Sequence, residues 1–464
     1  MVFHRMIAYL DTMKMLQKLL FPILLVGCAV VADETTYQGS PHNHYAPVPY
    51  SQAPSYYPGS PWHFPPGHSR PDVCHVHSPG NGGDAAPYII QAFKRCGRNG
   101  KVIFDNTTYN VNTVMNITGL SNVEVDVRGT LVWSTDIDYW LNNSIPIGFQ
   151  NQSSAFFFGG DEVWWHGNGY GTFNGNGQIW YDFAGHESNY PGRPHAITWW
   201  GLNNSVVEGM RFEQSQMWTM TLMYSHNVLL QDIYVNSTYL DGELGEELRL
   251  NQNTDGADTL YSDNITFVRW VIQNGDDSIS QKTNSTNILI EDCSFYRGIG
   301  VALGSIGQYA GQYDQIVNVT ARNIQTFDGT WFAGYVKIWS GTPNGYPPNG
   351  GGGGTGRIHN ITFTNFTLGG AQQMFQISSC LGQWGSGPGC DSSNFSVSDI
   401  KLSGIEGSLT TEDVVSLQCS SKAPCPGIEL ENIRLSVNGT TPAYLCSNVS
   451  QPIGFDCTGL TPQV

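Results

Sequence analysis

A chain of 464 residues with 54 glycines and only 13% charged residues is too rich in turn formers, and too poor in long charged side chains, for a helical protein. Its length suits two or three average domains, or one elongated domain built by repetition. The formal net charge of −17 speaks against nucleic acid as a partner and against long-range steering toward a polyanion.

Taken in order, the chain opens with Lys14 and Lys18 ahead of an apolar run from Leu19 to Ala32. Val30-Val31-Ala32 is a small-residue cleavage site, so residues 1–32 read as an export signal, with Met13 and Met15 as alternative starts. The run falls short of the roughly 20 apolar residues that span a bilayer, so no membrane association is expected. Residues 33–72, rich in Pro, Tyr, Ser and His and without an apolar period, read as a disordered linker. Their histidines lack the regular spacing of a metal tract.

Residues 73–464 read as one domain. Asp84-Ala85-Ala86-Pro87 opens a helix whose apolar residues Ile89, Ile90 and Phe93 recur at helical spacing up to Cys96. Short β runs follow, such as 101–104, 123–127 and 131–133, divided by Gly, Asn and Asp turns. One phrase then recurs, an asparagine before alternating apolar residues, at Asn227, Asn264, Asn287, Asn360 and Asn394. Such repetition marks a coiled solenoid with loops inserted on one side. The fold expected is all-β, a single-stranded right-handed parallel β-helix. Its asparagines would stack as an internal ladder, and an N-terminal capping helix would cover the open sheet edge.

Eight cysteines fall into sequence-local couples, Cys74 with Cys96, Cys380 with Cys390, Cys419 with Cys425, and Cys446 with Cys457, expected as disulfides of an oxidising compartment. Cys293 is left as a lone buried thiol, and no couple has zinc or thiol-redox spacing. Fourteen Asn-x-Ser/Thr sites point the same way: Asn106, Asn116, Asn142, Asn151, Asn203, Asn236, Asn264, Asn284, Asn318, Asn360, Asn365, Asn394, Asn438 and Asn448. A secreted, extracellular glycoprotein is expected.

The chemistry gathers between Asn253 and Lys337. Asp255 and Asp276 are 21 residues apart, close to one turn of the coil, so they can face each other on adjacent rungs. Neighbours on a regular strand point to opposite faces, so Asp276 and Asp277 share a cleft only if Asn274-Gly275 bends the pair off the ladder. An isolated Asp-Asp is most often a hydrated turn, and Asp255 on the next rung is what argues otherwise. Trp164, Trp165, Trp180, Tyr181, Trp199 and Trp200 are candidate stacking walls for a sugar, with core packing the commoner role for most.

Six motifs in order carry a resemblance: 82–87 (GGDAAP), 167–175 (GNGYGTFNG), Arg193-Pro194, Asn253-Thr254-Asp255-Gly256, Asn274-Gly275-Asp276-Asp277, and Gly304-Ser305-Ile306-Gly307. From Cys74 to Cys457 the chain resembles the polygalacturonase family of glycoside hydrolases, family 28. The resemblance implies hydrolysis of α-galacturonosyl bonds in pectin with inversion. It makes Asp276 the general acid and Asp255 and Asp277 the activators of water, with Asn253 and Lys337 binding substrate. It implies no metal or cofactor, a pectic polysaccharide as partner, and a monomer. An inverting pair is expected to stand roughly 6.5 to 9.5 Å apart.

Two positions depart from the family pattern. Ile299 stands where most members carry histidine, and Tyr335 where most carry an arginine that holds the leaving-side carboxylate. Together with the run through Gln308-Tyr309, this form resembles an exo-acting subgroup, exopolygalacturonases and exo-rhamnogalacturonases. Release of terminal galacturonic acid is the expectation. Endo-acting hydrolysis, a calcium-dependent lyase and a pectin-binding protein with weak catalysis are the alternatives.

Overall fold

The computed structural model describes residues 70–187, 189–239, 250–327, 329–382, 389–437 and 439–461. The export signal, the linker up to residue 69 and the glycosylation candidate Asn438 lie outside them. Asp72 pairs with Gly100 in parallel register, and Arg70 lies 2.9 Å from Glu124.

Three helices and two small side sheets aside, the described residues form a parallel β-helix, the strands of the main sheet pairing with strands one turn away. Its hand is right, the hand that parallel crossovers of right-twisted strands adopt. The ladder that matters for function comprises Ile197–Trp200 (β1), Met220–Met223 (β2), Ala257–Leu260 (β3), Asp277–Gln281 (β4), Ile299–Ile306 (β5), Phe332–Trp339 (β6), Gln373–Leu381 (β7), Asp413–Gln418 (β8) and Ala443–Ser447 (β9). Register aligns Thr221 with Asp258, Asp258 with Ser280, Ser280 with Ala302, and Ala302 with Tyr335. Alternation then sends Ala257, Ile279, Val301 and Val336 into the core and their neighbours outward.

The core is one apolar column filled at its N-terminal end by Phe104, Phe158, Trp165, Phe173 and Trp199. Helix α1 (Ala86–Cys96) closes that end as expected, burying Ile89, Ala92 and Phe93. Its Phe93 ring lies 5.4 Å from Phe158 and 6.5 Å from Trp165. Asp84 anchors its start by accepting from the backbone N–H of Ala86 and of Asn112. All four expected disulfides are present, and Cys293 is a buried thiol. The short helices Ile137–Asn143 and Gly177–Ala184 were not legible, since their inserts are too short for an apolar period.

The asparagine ladder exists, but outside the coil. Asn264 donates to Asn227 (2.9 Å), Asn318 to Asn287 (2.9 Å) and Asn360 to Asn318 (2.8 Å). Each sits in a left-handed turn, where asparagine is the non-glycine residue best tolerated. An internal position would have cost core volume that the β-branched residues fill. The rung after Asn360 carries Asp399, aligned by the pairing of Ile361 with Ile400, so Asn394 does not belong to the ladder. None of the thirteen described glycosylation candidates is buried. No helix among the described residues is long and apolar enough to cross a membrane.

Candidate active site

Asp255, Asp276 and Asp277 come together at the starts of β3 and β4, each offering an oxygen within 4.8 Å of the others. That is tighter than the separation expected of an opposed inverting pair. The bend at Asn274-Gly275 takes only Asp276 off the ladder, since Asp277 is the first residue of β4 and pairs with Ile299. Asn274 Nδ2 donates to the carbonyls of Thr254 (3.1 Å) and Asp277 (2.8 Å), and the Gly275 N–H donates to Thr254 Oγ1 (3.0 Å). A Cβ on Gly275 would fall 2.4 Å from the Asn251 carbonyl, so only glycine lets the two backbones approach this closely. Asp276 is oriented by two backbone donors, Asn253 N–H to Oδ2 (3.2 Å) and Asp277 N–H to Oδ1 (2.9 Å). Asn253 thus meets the site through its backbone, held at a positive φ.

The three carboxyls differ in environment. Asp255 and Asp277 are buried, whereas Asp276 is partly exposed. Burial and then the Asp277 charge push Asp276 upward, which favours its acid form. Burial alone would raise Asp277 too, but the ammonium groups of Lys337 and Lys282 outweigh it and hold Asp277 below the usual range. Burial and then the neighbouring Asp258 charge push Asp255 well up.

Lys337 Nζ lies 2.6 and 2.5 Å from the two oxygens of Asp277, so the ammonium expected to bind substrate is committed to the cluster. Gly304 of β5, which has no side chain, pairs with Lys337 of β6, and its carbonyl accepts from Lys282. Ile299 pairs with Asp277 and is buried beside it, and Tyr335 is half-buried with its ring 5.7 Å from the Lys337 ammonium.

Sequence reasoning gave no role to four groups, of which Arg193 was met only within the Arg193-Pro194 motif. Asp258 and Lys282 are buried next to the trio, 3.3 Å apart. Buried Arg193 donates to the Gln216 carbonyl (2.6 Å), and buried His195 lies between Thr221 Oγ1 (2.8 Å) and Gln152 Oε1 (3.1 Å) with its ring stacked on Trp218. The outward parity of Ser278 and Ser280 on β4, continued by Lys282 just past its end, was the signal available for Lys282. Burial pushes the Asp258 carboxyl up to about 7, with the Lys282 ammonium pulling the other way. The folded state therefore binds more protons than the unfolded chain between about pH 4 and pH 7, and stability falls as pH rises through that window. Calorimetry is expected to find a shallower fall of Tm over that window in Asp258→Asn; an identical slope would remove Asp258 as a source.

A strap crosses the same face. Residues 145–146 and 153–154 pair with each other and, through Ser153-Ser154, with Pro194-His195. Between them Ile147 and Phe149 pack on Met217, Trp218, Met223 and Leu260, with Trp200 and Tyr309 at the edge. Gln150 Nε2 donates to Gln308 Oε1 (2.6 Å), and the Tyr309 hydroxyl accepts from the Gln150 backbone N–H (2.7 Å). Gln308 in turn donates to the carbonyls of Pro348 and Gly350. The strap thus covers the outer face of β2 and β3, beside the trio. Of the aromatic candidates, Trp165, Trp180, Tyr181 and Trp199 are core, while Trp164 and Trp200 are partly exposed. Tyr224 and Tyr261, at the ends of β2 and β3, form an exposed stacked pair 5.1 Å apart.

Among the described residues, two sets of side chains have the donors and spacing for a cation: the trio, and Glu124, Asp126 and His166. In the second set, Lys101 lies 2.7 Å from Glu124 and Arg128 lies 2.5 Å from Asp126. Lysines likewise fill the first, so in both places side-chain cations already balance the carboxylates.

Comparison with known proteins agrees with the geometry. Residues 109–457 match the profile of glycosyl hydrolases family 28. The chain is 47% identical over 85% of its length to the alpha-L-rhamnosidase rgxB of Aspergillus niger, covering 91% of that protein. It is 38% identical to a putative galacturan 1,4-alpha-galacturonidase A of A. niger over 83% of this chain and 93% of that one. Among solved structures, it resembles the endo-xylogalacturonan hydrolase of Aspergillus tubingensis with a TM-score of 0.72 at 24% identity, over 84% of this chain and 100% of that one. An exopolygalacturonase of Thermotoga maritima gives a TM-score of 0.62 at 16% identity, over 83% and 92%.

Proposed function

The chain belongs to glycosyl hydrolases family 28, a pectin-degrading glycosidase of that family, and we propose that it is secreted and exo-acting, removing one terminal galacturonic acid at a time from polygalacturonan or rhamnogalacturonan with inversion. Asp276 protonates the leaving oxygen. Asp277, kept ionised by two lysines, takes the proton of the attacking water, and Asp255 helps to hold that water. With all three carboxyls on one wall, the water is held at the edge of the cluster and not between opposed walls. Acid and base are then both in working form in mildly acidic surroundings, and the rate falls as pH rises through the Asp276 ionisation. Four disulfides support an extracellular destination.

The strap carries the exo reading. It lies over β2 and β3 beside the trio and is held by Gln308 and Tyr309; in this reading it closes that side to a threading chain, which enters from the other. Chromatography of early digests of polygalacturonate and rhamnogalacturonan fragments is expected to give a single monosaccharide from the first time point. A strap loosened by Gln150→Ala with Tyr309→Phe is expected to add longer oligosaccharides. Mixed oligomers from the parent protein would replace the exo reading with an endo one.

A second reading, release of terminal rhamnose, rests on two observations. The relative that is 47% identical is named an alpha-L-rhamnosidase, and both lysines beside the trio are engaged with carboxylates, which suits a neutral sugar there. Rhamnose in the same chromatogram would decide for it.

A further inference from the structure

An ammonium buried inside a carboxylate cluster needs a role. Lys282 is 4% exposed, so it meets no substrate group directly. Its Nζ donates to Asp277 Oδ2 (3.2 Å) and to the Gly304 carbonyl (3.0 Å). It lies 3.3 Å from Asp258 Oδ1 and 3.9 Å from Asp255 Oδ2, with the Trp218 ring 4.9 Å away as its lid. We infer that Lys282 is a positioning residue of the hydrolytic site, fixing Asp277 as the ionised base, and that the Asp258 carboxyl is the group that seats its ammonium.

This rests on the proposed hydrolytic reading of the trio. The geometry favours it over a purely structural ion pair, because Lys282 bridges a residue of the trio to one outside it. Lys337 approaches Asp277 from β6 and Lys282 from just past the end of β4, so the carboxylate is held from two sides, with both of its oxygens engaged. The ionisable groups facing this ammonium are Asp255, Asp258, Asp276 and Asp277, with His195 stacked on Trp218, Arg193 beyond Asp255 and Asp276, and Lys337 on the far side of Asp277. Burial and then the Lys282 charge hold His195 near 3, so it stays neutral and leaves the carboxylates and lysines to set the local charge. Burial would lower Lys282 itself, but Asp258 and then Asp277 outweigh it, so the ammonium persists.

The test compares the parent with Lys282→Met, Asp258→Asn and the double variant. Lys282→Met alone leaves buried carboxylates uncompensated and is expected to fold poorly, whereas removing both partners restores the balance. The folded double variant, against Asp258→Asn as reference, is expected to lose about 10²-fold in kcat with KM little changed. The acidic limb of its kcat/KM profile should rise by about one pH unit, because Asp277 loses one of its two cations. An unmoved limb and an unchanged kcat would overturn the inference. A double variant that does not fold while Asp258→Asn does would contradict the pairing of Lys282 with Asp258. A parent protein that turns over no pectic substrate would overturn the hydrolytic reading instead. Lys282 is then judged on Tm against pH. Asp277, with its folded pKa lowered, supplies stability above its unfolded pKa that is lost on acidification. The double variant should therefore lose less Tm than Asp258→Asn between about pH 5 and pH 2. Equal losses would refute the inference without reference to activity.

Discussion

Asp276→Asn is expected to fold as the parent does and to lose roughly 10²–10⁴-fold in kcat, the usual contribution of a positioned general acid. The amide keeps the shape of the carboxyl, and its oxygen can still accept from one of the two backbone N–H groups that orient Asp276. It has no acid proton to give the leaving oxygen. Asp276 also fits the role by exposure, being the one member of the trio open enough to reach a glycosidic oxygen. Burial and the Asp277 charge keep its proton on in mild acid. Initial rates at the optimum, with Tm as the control for folding, check this. A variant that hydrolyses at the parental rate would remove Asp276 from the chemistry.

Lys337→Met separates two roles for one lysine. If its ammonium served mainly to grip a substrate carboxylate, KM would rise and kcat would stay. Its contacts of 2.6 and 2.5 Å to Asp277 lead to the opposite expectation, a fall of about 10²-fold in kcat with a smaller change in KM. The acidic limb should move up, since Asp277 then needs a higher pH to ionise. Asp277 is fully buried, so losing this partner should also lower stability by about 3 kcal/mol, with Lys282 left as its other cation. Kinetics over a pH series together with urea unfolding would measure both. A raised KM with kcat and the limb intact would return Lys337 to substrate binding.

The coil was legible because its signals are local: short β runs, punctuating Asn, Asp and Gly, and an apolar helix ahead of the first rung. The disulfides were legible because each joins cysteines close in sequence. Placement of the asparagines was not, because stacking in an outer left-handed turn and stacking in the interior leave the same repeat in the sequence. In the site, the spacing of Asp255 and Asp276 and the Asn274-Gly275 bend gave the trio. Lys282 and Asp258 escaped because a buried ion pair has no sequence signature beyond parity. The Lys337 contact escaped because it spans two rungs across a glycine. The strap escaped for a different reason: residues 145–152 reach Gln308 and Tyr309 across more than 150 positions, and no local pattern records so long a contact.

The most direct measurement is time-resolved proton NMR of the parent protein acting on a saturated α-linked pectic oligosaccharide at acidic pH, read before the free sugar mutarotates. A single terminal monosaccharide of inverted anomeric configuration is expected in the first spectrum. A retained anomer, an unsaturated product or a spread of oligosaccharides at that time would contradict exo-acting, inverting hydrolysis by Asp276 and Asp277.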